Sequence, residues 1–177
     1  RRRFAFRSAP QYGAPSGVSV PTPGGPVDPT LAGATLTVFS PGDGIAEAAV
    51  IDLPAARWQR IGTASNPGYR YRDTSGAGPI KTVVLRGERL TIRGNGPGLY
   101  PLADAPQGEM AMALRFGSGS GLCASAPARS PASRHDSTTT FNGQKGTTVP
   151  PSCPEVPRPP VGSASQAFLS LPASLLD

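Results

Sequence analysis

Residues 68–123 carry apolar side chains at nearly every second position, and this period restricts what the chain can fold into. A period of two places alternate side chains on opposite faces of a β-strand, whereas an amphipathic helix needs a period near 3.6. Segments with one apolar and one polar face suit an antiparallel sheet that covers a core on one side. The pattern predicts an all-β domain, either a small β-sandwich or a flattened barrel, of about seven to nine strands.

The stretch PIKTVVLRGERLTIRG predicts a β-hairpin with a defined register. A two-residue turn at Gly87 and Glu88, with Gly first as in a type II′ turn, would pair Arg86 with Arg89. The same register pairs residue 85 with 90 and residue 83 with 92, so that the apolar side chains share one face. Arginine and threonine side chains then share the outer face.

Alternation also predicts strands at residues 34–39, 48–53 and 109–116, and a short last strand that begins at Leu122. A short helical turn is expected over residues 55–60, directly after Pro54. In the segment EMAMALRF, residues 109–116, the outward positions are mostly small. We therefore expect the outer face of this strand to be covered by a second sheet or by a partner.

Glycine and proline, with 22 residues each among 177, set the limits of this domain. Residues 1–33 contain six prolines and predict an extended arm, which is either a flexible linker or a segment that lies on a neighbouring subunit. The β domain is expected at residues 34–154. Residues 155–177 predict a proline-rich spacer and a short apolar helix, which docks on its own domain or on a partner.

Contacts between such arms and a partner would come from their basic and apolar side chains. These side chains are Arg1, Arg2, Arg3, Phe4 and Phe6 near the start of the chain, and Phe168, Leu171 and Leu175 near its end. The net charge is +6, but the other arginines are spread along predicted strands, so we do not expect nucleic-acid binding. No run reaches the roughly 20 apolar residues of a membrane span.

Cys123 and Cys153 are the two cysteines of the chain, which has one histidine. This composition disfavours a zinc site and favours one disulfide formed in an oxidising compartment. The first residues lack a methionine and an apolar signal-peptide region, so we expect a mature or excised product. The expected location is extracellular, periplasmic or at the cell surface.

The sequence predicts no catalytic residue, no metal site and no cofactor. The single imidazole, His135, precedes Asp136 and lies among hydroxyl residues, but a Ser-His-Asp triad needs a serine on another element. No G-x-S-x-G motif is present to supply that serine. We expect His135 in a solvent-exposed loop, and a hydrolase is the third and weakest hypothesis.

The aromatic residues leave a different role open. Trp58 is expected as a core residue, although a tryptophan can also form a flat surface for sugars. In a ligand-binding module, Trp58, Tyr69, Tyr71 and Tyr100 would form that platform.

A set of short motifs is spread over residues 48–154. They are Trp58, GYRYRD at 68–73, GPIKTVVL at 78–85, LTIRGNG at 90–96, the strand that leads to Cys123, and Cys153-Pro154. Together they resemble an uncharacterised β module found near the C-termini of secreted proteins from GC-rich bacteria. The resemblance implies an extracellular or periplasmic β-sandwich-like domain with a disulfide, and it implies no catalytic residues.

From the sequence we expect a non-enzymatic structural or interaction subunit of an extracellular or cell-envelope assembly, whose terminal arms contact other protein subunits. The alternative is a carbohydrate- or surface-binding module of a larger secreted protein.

Overall fold

A computed structural model describes residues 3–8, 20–40, 48–87, 89–96, 99, 106–119 and 121–146. The strands are β1 (Arg3–Ser8), β2 (Ala34–Phe39), β3 (Ala49–Leu53), β4 (Trp58–Thr63), β5 (Asn66–Arg72), β6 (Ile80–Arg86), β7 (Arg89–Asn95), β8 (Glu109–Phe116), β9 (Gly121–Pro127), β10 (Asp136–Ser137) and β11 (Thr140–Gly146). Two four-residue helices, α1 (Pro29–Ala32) and α2 (Ala132–His135), and a 3₁₀ turn (Ala55–Arg57) complete the described elements.

The strands form two sheets that enclose one main core. Sheet A has the order β10-β11-β1-β7-β6-β5-β4, and sheet B has the order β3-β2-β8-β9. Apolar side chains from the inner faces of both sheets belong to one buried cluster, and the ring centroids of Trp58 on β4 and Phe116 on β8 are 6.2 Å apart. The predicted all-β sandwich is confirmed, and the described strands do not close into a barrel.

The predicted hairpin is present as β6 and β7 with the expected register. Arg86 pairs with Arg89, residue 85 with 90 and residue 83 with 92. Gly87 has a φ of 55°, a left-handed value that both primed hairpin turns require at this position. Strands β2, β3 and β8 also lie where alternation predicts them.

The predicted helical turn at residues 55–60 is wrong in its second half. The 3₁₀ turn ends at Arg57, and Trp58 begins β4, opposite Tyr71 of β5. The Trp58 indole is buried and its Nε1 donates a hydrogen bond of 3.1 Å to the Leu53 carbonyl oxygen. The ring thus packs into the core from a strand backbone and not from a helical turn.

The first strand is the main departure from the expected N-terminal arm. β1 lies inside sheet A, parallel to β11 and antiparallel to β7. Phe4 and Phe6 are 2% and 1% exposed and belong to the main core, where the Phe4 ring stacks on Phe141 at 5.9 Å. Residues 3–8 are thus part of the domain, because an alternating Phe-x-Phe segment buries more apolar surface in the sheet than as an arm.

Residues 20–33 do not form an extended arm either. They form turns and α1, and the fully buried Asp28 fixes them to β4. Its carboxylate accepts hydrogen bonds from the backbone N–H groups of Gly24 (2.6 Å) and Thr30 (2.9 Å). Arg60 of β4 contributes an ion pair of 2.5 Å. The carboxylate therefore caps α1 and ties the segment to sheet A.

A second, smaller apolar cluster lies on the side of sheet B that faces away from sheet A. It contains Phe39, Ala111, Ala113 and Cys123, with Ala48 packed against it. All four cluster residues are at most 6% exposed. Ala111 and Ala113 on the outer face of β8 are therefore buried, and the covering of this face by a second sheet or a partner stays a prediction. Cys123 is buried here, whereas Cys153 lies outside the described residues, so their disulfide stays a prediction.

Candidate functional site: the arginine face of sheet A

The outer face of sheet A carries a concentration of exposed positive charge. Four adjacent strands, β1, β7, β6 and β5, alternate buried apolar residues with exposed arginines. We call this surface the arginine face, and its arginines are Arg3, Arg7, Arg70, Arg72, Arg86, Arg89 and Arg93. None of these four strands contains an aspartate or a glutamate. These four strands therefore contribute only positive charge to the face.

Strand register determines the spacing of the guanidinium groups. Arg72 is level with Thr82, which is level with Arg93, so these two arginines are two strands apart, about 10 Å at the usual strand spacing. Arg86 and Arg89 are direct neighbours across the hairpin. Small and β-branched residues separate the arginines and keep the surface even. An array that extends over four strands suits an extended anionic ligand better than a small molecule, whose sites are concave.

The guanidinium groups of these arginines form no ion pair with other described residues. Two of the described carboxylates, those of Asp28 and Asp73, pair with basic residues that lie off this face. Asp73 forms ion pairs of 2.8 Å with Arg57 and 3.2 Å with Lys81. A hydrogen bond from Ser75, together with Lys81, the Gly78 amide and Arg57, outweighs burial and lowers the pKa of Asp73 below its usual range. These two basic residues are held by Asp73 in the β5–β6 loop, whereas the arginine face stays exposed and is not paired with any described carboxylate.

The face contains a shallow depression of about 410 Å³ where β1 meets β7 and β11. The small side chain of Ala5 lies in it, in register with Arg93 on one side and Asn142 on the other. Arg3 and Asn95 also line it. Guanidinium groups bind carboxylates and sulfates through paired hydrogen bonds, and amide side chains bind hydroxyl groups. The depression thus combines the donors that an acidic sugar unit requires.

The residues predicted to contact partners differ in their exposure in the structure. Arg3 is exposed on the arginine face, whereas Phe4 and Phe6 are buried in the core of their own domain, so their predicted role in partner contacts is corrected. The other predicted partner-contact residues lie outside the described residues: Arg1, Arg2, Phe168, Leu171 and Leu175.

The predicted aromatic ligand platform does not form from its described members. Trp58, Tyr69 and Tyr71 are 4%, 0% and 2% exposed, because all three face sheet B from the inner side of sheet A. Tyr100 lies outside the described residues. The expectation that Trp58 is a core residue is confirmed.

His135 is half-buried at the end of α2, so it is not the solvent-exposed loop residue that we expected. The neighbouring Asp136 accepts hydrogen bonds from the backbone N–H groups of Gln107 (2.9 Å) and Gly108 (2.7 Å). Its two carboxylate oxygens therefore hold the segment before β8, and no hydrogen bond between described residues orients the imidazole. Asp136 is therefore engaged by backbone amides and does not serve His135 as the acid of a triad.

The described residues contain no group of three or more His, Cys, Asp or Glu side chains placed to hold a metal ion. Neither of the two short helices among them is long and apolar enough to cross a membrane. In comparisons with known proteins, no family model, no curated protein and no solved structure matched this chain.

The sequence predicted an arginine-bearing outer face for the β6–β7 hairpin, but not that β1 and β5 extend it into one surface. Sequence reasoning treated the arginines as spread out, because they are far apart along the chain. Residues with a period of two on adjacent strands share one face, so Arg70, Arg93 and Arg7 come together only when the order β5-β6-β7-β1 is known. The alternation in RFAFRS was an available signal for β1.

Proposed function

We propose that this chain is a non-enzymatic surface-binding module that holds an acidic polysaccharide, such as a uronic-acid or sulfated polymer, on its arginine face. The observation that carries the proposal is the set of seven exposed arginines on four adjacent strands that contain no acidic residue. The guanidinium group is always charged and matches carboxylate and sulfate geometry. This is the sequence-based alternative of a carbohydrate- or surface-binding module, moved from an aromatic to a basic surface.

The shape and composition of the face favour a polysaccharide over nucleic acid. Its four strands expose no aromatic ring on which unpaired bases could stack, since their tyrosines and phenylalanines are buried. A flat sheet face does not enter the major groove of duplex DNA, which accepts a helix or a two-stranded ribbon. The amide and hydroxyl side chains around Ala5 suit the many hydroxyl groups of a sugar chain.

A lipid surface is also less well matched. Proteins that lie on a membrane insert large apolar side chains beside their basic residues. Among the described residues, the exposed large apolar side chains are Leu31 and Val50, and neither lies on the strands of the arginine face. Binding to anionic vesicles should therefore be weaker than binding to an acidic polysaccharide, and both are measured below.

The preferred hypothesis from the sequence, a subunit that contacts its neighbours through terminal arms, stays a prediction. Its N-terminal contacts need a different form, because Phe4 and Phe6 are buried in their own domain.

The proposal is tested by replacing three central arginines, Arg70, Arg72 and Arg93, with glutamine. We expect polygalacturonate affinity to fall on the order of 10- to 100-fold, at about 1 kcal/mol or less for each exposed arginine near an anionic surface. Glutamine retains a polar side chain of similar length, so the sheet should keep its stability within about 0.5 kcal/mol. Binding is measured by titration calorimetry at low salt, and folding by urea denaturation.

The matched control replaces Arg115, Arg129 and Arg134 with glutamine and so removes the same charge. These three arginines lie off the arginine face. It should change affinity less than threefold. Equal losses in both triple variants would mean that net charge alone attracts the polymer. Tighter binding of duplex DNA or anionic vesicles than of polygalacturonate would assign the face to that ligand class instead.

A further inference from the structure

The position of β1 in the middle of sheet A carries a second inference, about association between chains. β1 forms ladders on both of its edges, with β7 and with β11. Ser8 adds a hydrogen bond through its Oγ, which accepts from the Leu90 N–H at 2.9 Å, and the Arg3 N–H donates to the Thr139 carbonyl at 2.8 Å. The gap between β7 and β11, which we call the β1 slot, must therefore be filled for the sheet to be continuous.

The contacts that hold β1 are all to distant parts of the chain. Ser8 and Leu90 are 82 residues apart, and β11 is still further along. No hairpin joins β1 to either of the strands beside the slot. A strand inserted there makes the same hydrogen bonds whether it comes from the same chain or from a second copy. The choice between the two sources depends on the chain that joins β1 to the rest.

That joining segment, residues 9–19, has a length and composition that allow either source. Its eleven residues span at most about 40 Å when extended, which is close to the diameter of a domain of this size. Pro10 and Pro15 lie in it, and proline stiffens a linker and lowers the frequency with which its ends meet. Exchange of an identical element between copies is a low-cost route to dimers.

We propose that the β1 slot also accepts β1 from a second copy of this chain, so that two chains associate by exchanging N-terminal strands. Phe4 and Phe6 of one chain then fill the core of the other, and the interface is a continuous β-sheet. The exchange also transfers Arg3 and Arg7 to the partner, so each arginine face of the dimer stays complete. The inference does not depend on the ligand of that face.

The test uses two single-cysteine additions at positions that β1 and β11 bring into register, Ala5→Cys and Asn142→Cys. The two variants are unfolded, mixed, refolded together at high concentration and treated with a short thiol-specific cross-linker. A covalent heterodimer, above the background of each variant refolded alone, is the expected result. The amount should rise at least severalfold as the refolding concentration increases tenfold.

The double variant, with both substitutions in one chain and refolded at high dilution, is the positive control for geometry. It should cross-link within the monomer. Cross-linking of the double variant without any heterodimer from the mixture would overturn the proposal, since β1 would then enter only its own slot. Failure of both reactions would overturn it as well, because β1 would not lie beside β11.

Discussion

The fully buried carboxylate of Asp28 decides how the segment before β2 is held. Burial alone would raise its pKa, but the Gly24 amide, the hydroxyl and amide of Thr30, and Arg60 together lower it to about 2, from 3.8. A carboxyl group whose pKa is lower in the folded state than in the unfolded state stabilises the fold at pH values above its unfolded-state pKa. That contribution is lost as the pH falls from about 4 towards 2.

Asp28→Asn should therefore reduce the free energy of unfolding by about 2 kcal/mol near neutral pH, because charged hydrogen bonds and a helix cap are lost. The deficit relative to the wild type should shrink between pH 4 and pH 2, where Asp28 itself becomes protonated. Urea denaturation over this pH range measures both effects. Asp52→Asn, at an exposed position on β3, is the control and should change stability by about 0.5 kcal/mol or less. A deficit for Asp28→Asn that is constant with pH would contradict this account.

Single residues also show where sequence reasoning ended. The outward direction of Arg70 and Arg72 follows from their alternation with the buried residues Tyr69 and Tyr71. Asp28, in contrast, lies in a proline-rich segment with no periodic pattern, and its partner Arg60 is 32 residues away. Sequence reasoning had no basis for pairing them.

At the level of elements, local pairing was predictable and distant pairing was not. The β6–β7 hairpin has its register fixed by a two-residue turn and by matched apolar positions, so it followed from the sequence. The alternation in RFAFRS marks β1 as a possible strand but does not say which strands it pairs with, and its parallel partner β11 contributes few apolar residues beyond Phe141. A parallel pair has no connecting turn to mark it, so this part of sheet A required the structure.

Phe6→Ala tests whether β1 is part of the domain. The side chain is 1% exposed, and removing a buried phenylalanine side chain costs about 3–5 kcal/mol. We expect a loss of this size in urea denaturation. Arg7→Ala, the next and exposed position on the same strand, should cost about 0.5 kcal/mol or less. Equal, small effects of both substitutions would show that β1 is a dispensable arm.

In the whole molecule, the two sides of β1 have different roles. The inner side of β1 places Phe4 and Phe6 in the core, and its outer side places Arg3 and Arg7 on the arginine face. If two chains exchange β1, their basic faces become linked, and a polymer that reaches both gains avidity without any new contact. The sandwich class was predictable from alternation, but this division of roles depends on strand order, which alternation does not determine.

The salt dependence of binding to polygalacturonate tests whether the arginine face binds an acidic polysaccharide. Titration calorimetry of the full chain at about 50 mM and about 200 mM salt should show affinity falling tenfold or more, because bound arginines displace counterions. The Arg70, Arg72 and Arg93 glutamine variant should show a smaller dependence on salt, and neutral dextran should not bind. Absence of binding at about 50 mM salt, or equal binding of dextran and polygalacturonate, would contradict the account.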